Sequence, residues 1–167
     1  MFLFAINFNL YYLILIGKFR AVLKSDELSF FILLVLSSIG VIAVNILPAY
    51  ASFSEALRAS AFQVCSVVST TGYATADFNL WPGLSKAILL ILMFVGGCAG
   101  STGGGLKAVR VVILIKSIKK ELKKLLHPRS VKSVMSEGKK LDDETLSGVT
   151  SYFAVYTLCI MVVFLLL

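Results

Sequence analysis

The sequence predicts an all-α integral membrane protein, and three observations predict it: the composition, the placement of the charges and the spacing of the apolar segments. Of the 167 residues, 58% are hydrophobic and 15% are charged, and the mean hydropathy is +0.91. Soluble globular chains are roughly 45–50% apolar and about 25% charged. A soluble body of 18.1 kDa cannot hide so much apolar surface, which argues against an ordinary cytoplasmic enzyme and against a disordered chain.

The basic residues lie in two clusters, each beside an apolar segment. Residues 18–24 hold three of the 16 Lys and Arg residues, residues 107–140 hold eleven, and Arg58 and Lys86 lie elsewhere. Basic residues next to membrane spans are retained on the cytoplasmic side, which predicts that both clusters lie inside, near anionic lipid headgroups. The net charge of +7 does not indicate a nucleic-acid partner, because no aromatic or base-reading pattern accompanies it.

Two long uncharged segments predict complete membrane spans, since a span needs about 20 apolar residues. Residues 28–47 are 20 residues without a charge, ended by Pro48, and residues 145–167 are 23 such residues. The uncharged segment 2–17 is shorter, at 16 residues, and its positive charge follows it. A secretory signal carries that charge first, so residues 2–17 are predicted to be the tail of a helix.

The segment between the basic clusters predicts a re-entrant loop. Residues 54–68 have helical character, with Ser54 as the predicted N-cap, but they are too few to span. A polar, uncharged run at residues 69–75 follows, and Trp81-Pro82 then predicts an interfacial anchor and the start of a returning span. Irregular backbone at membrane depth is tolerated where protein buries it or where it lines a water-filled cavity. The alternative is an ordinary extracellular loop that carries a short surface helix.

The polar run has the residue types of a cation filter. Such filters replace the hydration shell of an ion with backbone carbonyls, which requires small or hydroxyl side chains and a glycine able to adopt φ > 0. Thr70, Thr71, Gly72 and Tyr73 meet these requirements. The preceding helix would also direct its negative C-terminal end toward a cation.

A glycine-rich stretch interrupts the returning span. Residues 96–105, GGCAGSTGGG, contain six of the 12 glycines. Each glycine weakens a continuous helix by about 1 kcal/mol relative to alanine, which favours a broken span, and broken spans mark ion pathways. The alternative is helix packing through the GxxxGxxxG face formed by Gly96, Gly100 and Gly104.

Catalytic and nucleotide-binding alternatives find little support. Gly103, Gly105 and Ala108 match G-x-G-x-x-A, but no βαβ alternation surrounds them, and Leu106 interrupts a P-loop match. An enzyme inside the membrane would need ionisable residues in its spans. No Asp, Glu, Lys, Arg or His lies in the predicted spans 28–47, 87–106 and 145–167.

Cysteine and histidine indicate no metal site or disulfide framework. Cys65, Cys98 and Cys159 form no CxxC pair and are predicted to be buried thiols, and His127 has no partner set. Lys107 and Arg110, at the inner end of the broken span, are predicted either to snorkel to the interface or to lie beside the pore and its flexible loop. The basic helix over 116–126 is predicted to be a cytoplasmic extension.

Together these residues resemble the pore subunit of the Trk/Ktr/HKT superfamily of potassium transporters, most closely the bacterial Trk type. The resemblance covers essentially the whole chain, and the GGCAGSTGGG string followed by Lys107 is its most specific part. The segments that carry it are VSTTGYAT at 68–75, Trp81-Pro82, GGCAGSTGGGLK at 96–107, His127-Pro128 with Ser130-Val131, and Asn7-Phe8-Asn9, where a preceding broken helix would resume.

The resemblance implies a pore of four M1–P–M2 repeats with pseudo-fourfold symmetry. It assigns residues 2–17 to the end of the preceding repeat's M2 helix, 28–126 to one complete repeat (M1 28–47, pore helix 54–68, filter 69–75, broken M2 83–126) and 145–167 to the first helix of the next repeat. Because one repeat supplies a quarter of such a pore, we expect this 167-residue chain to be a fragment that does not conduct alone.

The resemblance also implies roles for individual residues. The backbone carbonyls of Ser69, Thr70, Thr71 and Gly72 would form the K⁺ filter. Ala74 stands where a potassium channel's TVGYG has its second glycine, so the outer end would hold ions less rigidly. An intramembrane gate loop would consist of Gly96, Gly97, Gly100, Ser101, Thr102, Gly103, Gly104 and Gly105, with Lys107 and Arg110 as gate-coupled basic residues.

The implied function is a pore subunit of a potassium uptake system, with K⁺ as the transported ion, no covalently bound cofactor and no enzymatic activity. The implied location is the bacterial inner membrane, in a multi-pass arrangement. The implied partners are membrane lipid, the missing repeats, a second copy in a homodimer and a cytoplasmic nucleotide-binding regulatory subunit, with no nucleic acid. The alternative function is a helical packing or structural subunit with no ion path of its own.

Overall fold

The structure is a computed structural model that describes residues 1–126, 135–136, 139–140 and 142–166. It consists of two compact units, Met1–Ala108 and Val109–Leu167, each described by itself. Among the described residues, the regular elements are helices apart from one pair of two-residue strands. His127, Pro128, Ser130 and Val131 of the resemblance, and Leu167 of the last predicted span, lie outside the described residues.

Five α-helices form the first unit. They are α1 (Phe8–Leu15), α2 (Phe19–Leu23), α3 (Asp26–Ile46), α4 (Phe53–Val68) and α5 (Gly83–Val95), with 3₁₀ turns at Phe2–Ala5, Leu47–Ala49 and Phe78–Leu80. Helices α3, α4 and α5 pack against one another. Their shared core is apolar and contains Phe31, Val35, Ile42, Ile46, Ala56, Val64, Val68, Leu89 and Leu92.

The first predicted span is present as helix α3. Ser25 caps it by accepting a hydrogen bond from the Leu28 amide at 3.3 Å, and Asp26 and Glu27 in the first turn complement the positive end of the helix. The helix therefore begins two residues before the predicted 28–47 segment. With the turn that follows, Asp26–Ala49 is long and apolar enough to cross a membrane.

Helix α4 occupies the predicted segment 54–68, but its N-cap is Ser52 and not Ser54. The Ser52 hydroxyl accepts a hydrogen bond from the Glu55 amide at 3.3 Å. Ser52 is three residues before Glu55, the spacing of a capping box, whereas Ser54 already lies within the first turn.

Trp81 precedes helix α5 as predicted, but it is not an interfacial anchor within this unit. Its side chain is 5% exposed and belongs to the hydrophobic core. Helix α5 begins at Gly83 after Pro82, and the Asn45 amide donates a hydrogen bond to the Ser85 hydroxyl at 2.8 Å. The start of α5 is therefore fixed against α3.

The segment 2–17 is not one helical tail. The 3₁₀ turn Phe2–Ala5 and helix α1 are separate, and Asn7 caps α1 by accepting a hydrogen bond from the Asn9 amide at 2.9 Å. This break lies at the Asn7-Phe8-Asn9 segment, where the resemblance expects a broken helix to resume.

The second unit contains most of α6 (Ala108–Leu126), strands β1 (Met135–Ser136) and β2 (Lys139–Lys140), and α7 (Asp143–Leu166). The strands pair antiparallel. Helix α7 covers the second predicted span, and Glu144–Leu166 is long and apolar enough to cross a membrane. Of the three thiols predicted to be buried, Cys98 in the first unit is buried, Cys65 is half-buried and Cys159 on α7 is exposed.

Candidate ion-binding loop and adjoining glycine loop

The loop after α4, residues 69–73, which we call the carbonyl loop, turns backbone N–H groups toward the C-terminal end of that helix. The amides of Thr71 and Gly72 both donate to the Ser66 carbonyl, at 2.9 and 3.4 Å, and the Thr70 amide donates to the Val67 carbonyl at 3.0 Å. The sign of φ alternates along the loop, at −84° for Ser69, +55° for Thr70 and +80° for Gly72. Alternation of right- and left-handed residues makes successive N–H groups converge on one acceptor.

The carbonyl groups of this loop consequently face away from the helix. In a trans peptide the C=O and the following N–H point in opposite directions, and the described residues include no cis peptide. The carbonyls of Ser69, Thr70 and Thr71 therefore point away from the carbonyls that hold the N–H groups. Within the described part of the chain, no group donates a hydrogen bond to these three oxygens. Such oxygens suit the coordination of a desolvated cation.

Hydrogen bonds from two serine hydroxyl groups hold the loop against α4. Ser69 Oγ donates to the Cys65 carbonyl at 2.6 Å and lies 2.7 Å from Thr71 Oγ1. Ser66 Oγ donates to the Tyr73 carbonyl at 2.5 Å, and Ser66 is fully buried. The residues predicted for this site did not include Ser66. Its position one turn before the polar run 69–75 was the signal that could have identified it.

The glycine-rich stretch is a loop whose two ends are joined. The amides of Leu106 and Lys107 donate to the Phe94 and Val95 carbonyls, both at 3.0 Å, and the Ala108 amide donates to the Gly97 carbonyl at 2.9 Å. The end of α5 and the start of α6 are thus connected directly, and residues 98–105, which we call the glycine loop, project from this junction. The break predicted within 83–126 is present, between Val95 and Ala108.

The helix-packing alternative requires a continuous helix through Gly96, Gly100 and Gly104, and no such helix exists there. Gly96 ends α5 with φ +68°, and a Cβ on it would collide with the Gly104 carbonyl oxygen. Gly105 has φ +85°, and its Cβ would lie 3.0 Å from Gly96 Cα. These positions accept no side chain, because both the left-handed backbone and the close approach require glycine.

Gly103 and Gly104 are less restricted than the other glycines of the stretch. A Cβ on Gly103 would find its nearest neighbours at 3.6 Å, and one on Gly104 would lie 3.7 Å from Thr70 Cγ2, both ordinary contacts. Gly100 is restricted like Gly105, with φ +66° and a Cβ that would lie 3.0 Å from Asn7 Oδ1, and a Cβ on Gly97 would lie 2.9 Å from Ser101 Oγ and 3.0 Å from the Ala5 carbonyl oxygen. The predicted gate glycines are therefore not equivalent.

The first half of the glycine loop is anchored by the N-terminal segment and by α3. The Cys98 amide donates to the Ala5 carbonyl at 2.8 Å, and the Phe8 amide donates to the Gly100 carbonyl at 3.1 Å. The Ala99 amide donates to Glu27 Oε1 at 2.6 Å, and Glu27 is 4% exposed. Sequence reasoning missed Glu27, because it counted acidic residues within the spans and this one lies just before the segment 28–47.

The two predicted basic residues have different surroundings. Lys107 adopts φ +72°, and its ammonium donates to the carbonyls of Gly103 and Ser101, so it contacts the glycine loop. In the second unit, the Arg110 guanidinium lies 4.1 Å from the centre of the Tyr152 ring, a cation–π contact.

The two predicted site segments meet at one hydrogen bond. The Gly104 amide donates to Thr70 Oγ1 at 3.0 Å. A residue of the carbonyl loop is therefore bonded through its side chain to the backbone of the glycine loop.

A family model described as TrkH, a cation transport protein, matches residues 3–167. The chain belongs to this family. The Trk system potassium uptake protein TrkG of Escherichia coli K12 is 36% identical over 160 residues, an alignment covering 92% of this chain and 32% of TrkG. The corresponding TrkH of the same organism is 39% identical over 113 residues, covering 68% of this chain and 23% of TrkH.

A solved structure agrees with this membership. The crystal structure of the potassium transporter TrkH from Vibrio parahaemolyticus superposes with a TM-score of 0.87 at 32% identity, over 96% of this chain and 36% of that one. The chain thus spans between about a quarter and a third of the length of these relatives. The TrkH family is described as one of cation transport proteins and not of enzymes, and membership in it implies a membrane protein.

Proposed function

We propose that this chain supplies part of the pore of a potassium uptake system, with K⁺ coordinated by the carbonyl loop and the glycine loop acting as gate. The observation that carries the proposal is the alternating backbone of Ser69 to Gly72. With the N–H groups bound to the end of α4, the carbonyl oxygens of Ser69, Thr70 and Thr71 are left without donors among the described residues. The carbonyl of Gly72 completes the proposed K⁺ ligands.

The electrostatics of α4 support the same role. This helix of 16 residues ends at the loop, and its C-terminal carbonyls carry a partial negative charge that favours a cation nearby. Two relatives are named potassium uptake proteins, and the filter residues resemble those of that family. Potassium is therefore the ion we assign.

The position of the glycine loop supports its role as gate. It projects from a closed junction and is bonded to Thr70, so it lies next to the carbonyl loop. Residues 98–105 can change conformation while the three hydrogen bonds of the junction remain. Lys107, bound to the Gly103 carbonyl, is the basic residue best placed to hold the loop.

The organisation of the complete pore is also proposed. Residues 28–126 form one M1–P–M2 repeat (M1 28–47, pore helix 54–68, filter 69–75, broken M2 83–126), residues 2–17 end the preceding repeat, and 145–167 begin the next. Three further repeats would complete the ion path. We further propose a homodimer in the bacterial inner membrane, multi-pass and bound to a cytoplasmic nucleotide-binding regulatory subunit.

K⁺ flux into liposomes tests the proposal. The 167-residue chain is compared with a four-repeat pore that contains it, after insertion of both is verified by protease protection. We expect K⁺ flux from the four-repeat pore and none from the 167-residue chain. In single-channel recordings of the four-repeat pore, deletion of residues 100–104 should raise the open probability. Absence of K⁺ flux from the inserted four-repeat pore contradicts the filter, and an unchanged open probability in the deletion contradicts the gate.

A further inference from the structure

We propose that the Thr70 side chain couples the carbonyl loop to the glycine loop, so that the position of the gate and the ion-binding geometry of the filter change together. This inference rests on the proposed function, since it assigns a positioning role within that filter and gate. Its basis is the hydrogen bond from the Gly104 amide to Thr70 Oγ1, at 3.0 Å. The bond joins residues that are 34 positions apart in the sequence.

The backbone of Thr70 is the second observation. Its φ is +55°, a left-handed conformation that is a genuine outlier for a β-branched residue. Strained conformations of this kind persist where the surroundings over-determine them. Two hydrogen bonds restrain Thr70, one from its own amide to the Val67 carbonyl at 3.0 Å and one from the Gly104 amide to its hydroxyl.

Release of Gly104 would therefore act on the filter. When the glycine loop moves, the hydroxyl of Thr70 loses its donor, and one of the two restraints on a strained backbone is removed. Rotation at Thr70 turns the peptide groups on either side of it, which carry the carbonyls of Ser69 and Thr70. Both oxygens belong to the proposed K⁺ ligands, so opening the gate alters the filter directly.

The anchoring of the glycine loop is consistent with this movement. Residues 98–102 are bonded to Phe4, Ala5, Phe8 and Glu27. Gly104 lies after these anchored residues and is exposed. A gate movement carried by residues 103–105 breaks the bond to Thr70 and leaves the Glu27 bond in place.

The coupling has a signature that a merely structural contact lacks. An ion in the filter holds the carbonyls of Ser69 and Thr70 and thereby favours one conformation of Thr70. Open probability should then depend on which permeant ion occupies the filter, K⁺ or Rb⁺. Loss of the Thr70 hydroxyl should remove this dependence.

The test uses single-channel recordings of a four-repeat pore that contains this chain. Thr70→Val removes the acceptor and keeps the shape, and Thr70→Ser keeps the hydroxyl. Thr150→Val is the matched control, since that hydroxyl bonds to the Leu146 carbonyl on its own helix. We expect Thr70→Val to raise open probability by about fivefold, the factor of one ordinary hydrogen bond, and to abolish its difference between K⁺ and Rb⁺. Thr70→Ser keeps the acceptor, so its open probability should still differ between K⁺ and Rb⁺. Thr150→Val should retain the parent's behaviour.

The outcomes separate this inference from the function on which it rests. A parent pore with no K⁺ current overturns the proposed function. A conducting parent whose open probability is the same in K⁺ and Rb⁺, or a Thr70→Val pore identical to the parent, overturns the coupling alone, as does a Thr70→Ser pore that behaves like Thr70→Val. If Thr70→Val does not assemble, Thr70→Ala replaces it, because alanine also removes the acceptor and relieves the β-branched strain.

Discussion

The carboxylate of Glu27 accepts a hydrogen bond from the backbone N–H of Ala99, with Oε1 2.6 Å from the amide nitrogen. Glu27 lies in the first turn of α3 and is 4% exposed, whereas Ala99 lies 72 residues later in the glycine loop. A carboxylate is stabilised at a helix N-terminus, and a charged acceptor makes a stronger hydrogen bond than a neutral one. The start of α3 therefore fixes one side of the proposed gate.

Glu27→Ala should destabilise the fold. The substitution leaves the Ala99 amide without its acceptor, and a hydrogen bond to a charged group contributes about 1.5–3 kcal/mol. Glu27→Gln keeps a carbonyl oxygen at the same position, so we expect it to recover part of the loss. Denaturant unfolding of the purified protein in detergent measures both variants.

Glu55→Ala is the matched control for Glu27. It removes the same side chain from the first turn of another helix, α4, at an exposed position. We expect a change within about 0.5 kcal/mol, as for ordinary surface substitutions. Equal unfolding curves for Glu27→Ala and Glu55→Ala would show that the Glu27 carboxylate does not hold the glycine loop.

Gly96→Ala should destabilise the protein, whereas Gly103→Ala should leave its stability nearly unchanged. At Gly96 the added Cβ meets the Gly104 carbonyl oxygen and the φ is +68°, so the junction must distort. A strained backbone of this kind costs on the order of 1–3 kcal/mol before any clash is counted. At Gly103 the nearest neighbours are 3.6 Å away, and we expect near-neutral stability. Purification yield and thermal unfolding distinguish the two, and equal sensitivity would contradict the geometry of the junction.

The helices were predictable because their signals are local. The uncharged length of 28–47 and the following Pro48 predict a helix that the structure has at Asp26–Ile46. The glycine-rich stretch predicts the break after Val95, since six glycines cannot sustain a helix there. The error at Ser54 was avoidable, because Ser52 and Glu55 have the capping-box spacing.

The contacts of the glycine loop were not predictable in the same way. The pairing of Glu27 with Ala99 joins residues 72 positions apart, and no local pattern encodes it. The glycines of 96–105 also look alike in sequence, and only the backbone separates Gly96 and Gly105 from Gly103. The burial of Trp81 depends likewise on tertiary packing, which overrides the usual preference of tryptophan for an interface.

Ser66→Ala should loosen the carbonyl loop. The Ser66 hydroxyl donates to the Tyr73 carbonyl at 2.5 Å, and its loss leaves that carbonyl unbraced. We expect a loss of about 1 kcal/mol in the free energy of unfolding and a lower K⁺/Na⁺ permeability ratio in a four-repeat pore. Reversal potentials under bi-ionic conditions measure the ratio.

Ser60→Ala is the control for Ser66. Ser60 is equally buried on the same helix, but its hydroxyl donates to the Leu57 carbonyl of α4 itself. We expect Ser60→Ala to leave the K⁺/Na⁺ ratio unchanged. A ratio altered equally by both variants would assign the effect to the packing of α4 and not to the brace on Tyr73.

Gly72→Ser should lower the preference for K⁺ over Na⁺ while the protein still folds. Gly72 has φ +80°, but no described atom lies within 4 Å of the Cβ that a substitution would add. The cost is therefore conformational, about 1 kcal/mol, and it falls on the alternation that directs the carbonyls. Gly40→Ser is the matched control, because Gly40 lies in α3 with equally open space around it. Bi-ionic reversal potentials in a four-repeat pore should shift toward Na⁺ for Gly72→Ser alone. If a folded Gly72→Ser pore keeps the parent's ratio, the left-handed backbone at Gly72 does not set selectivity, and the carbonyls of Ser69 to Gly72 are not the filter.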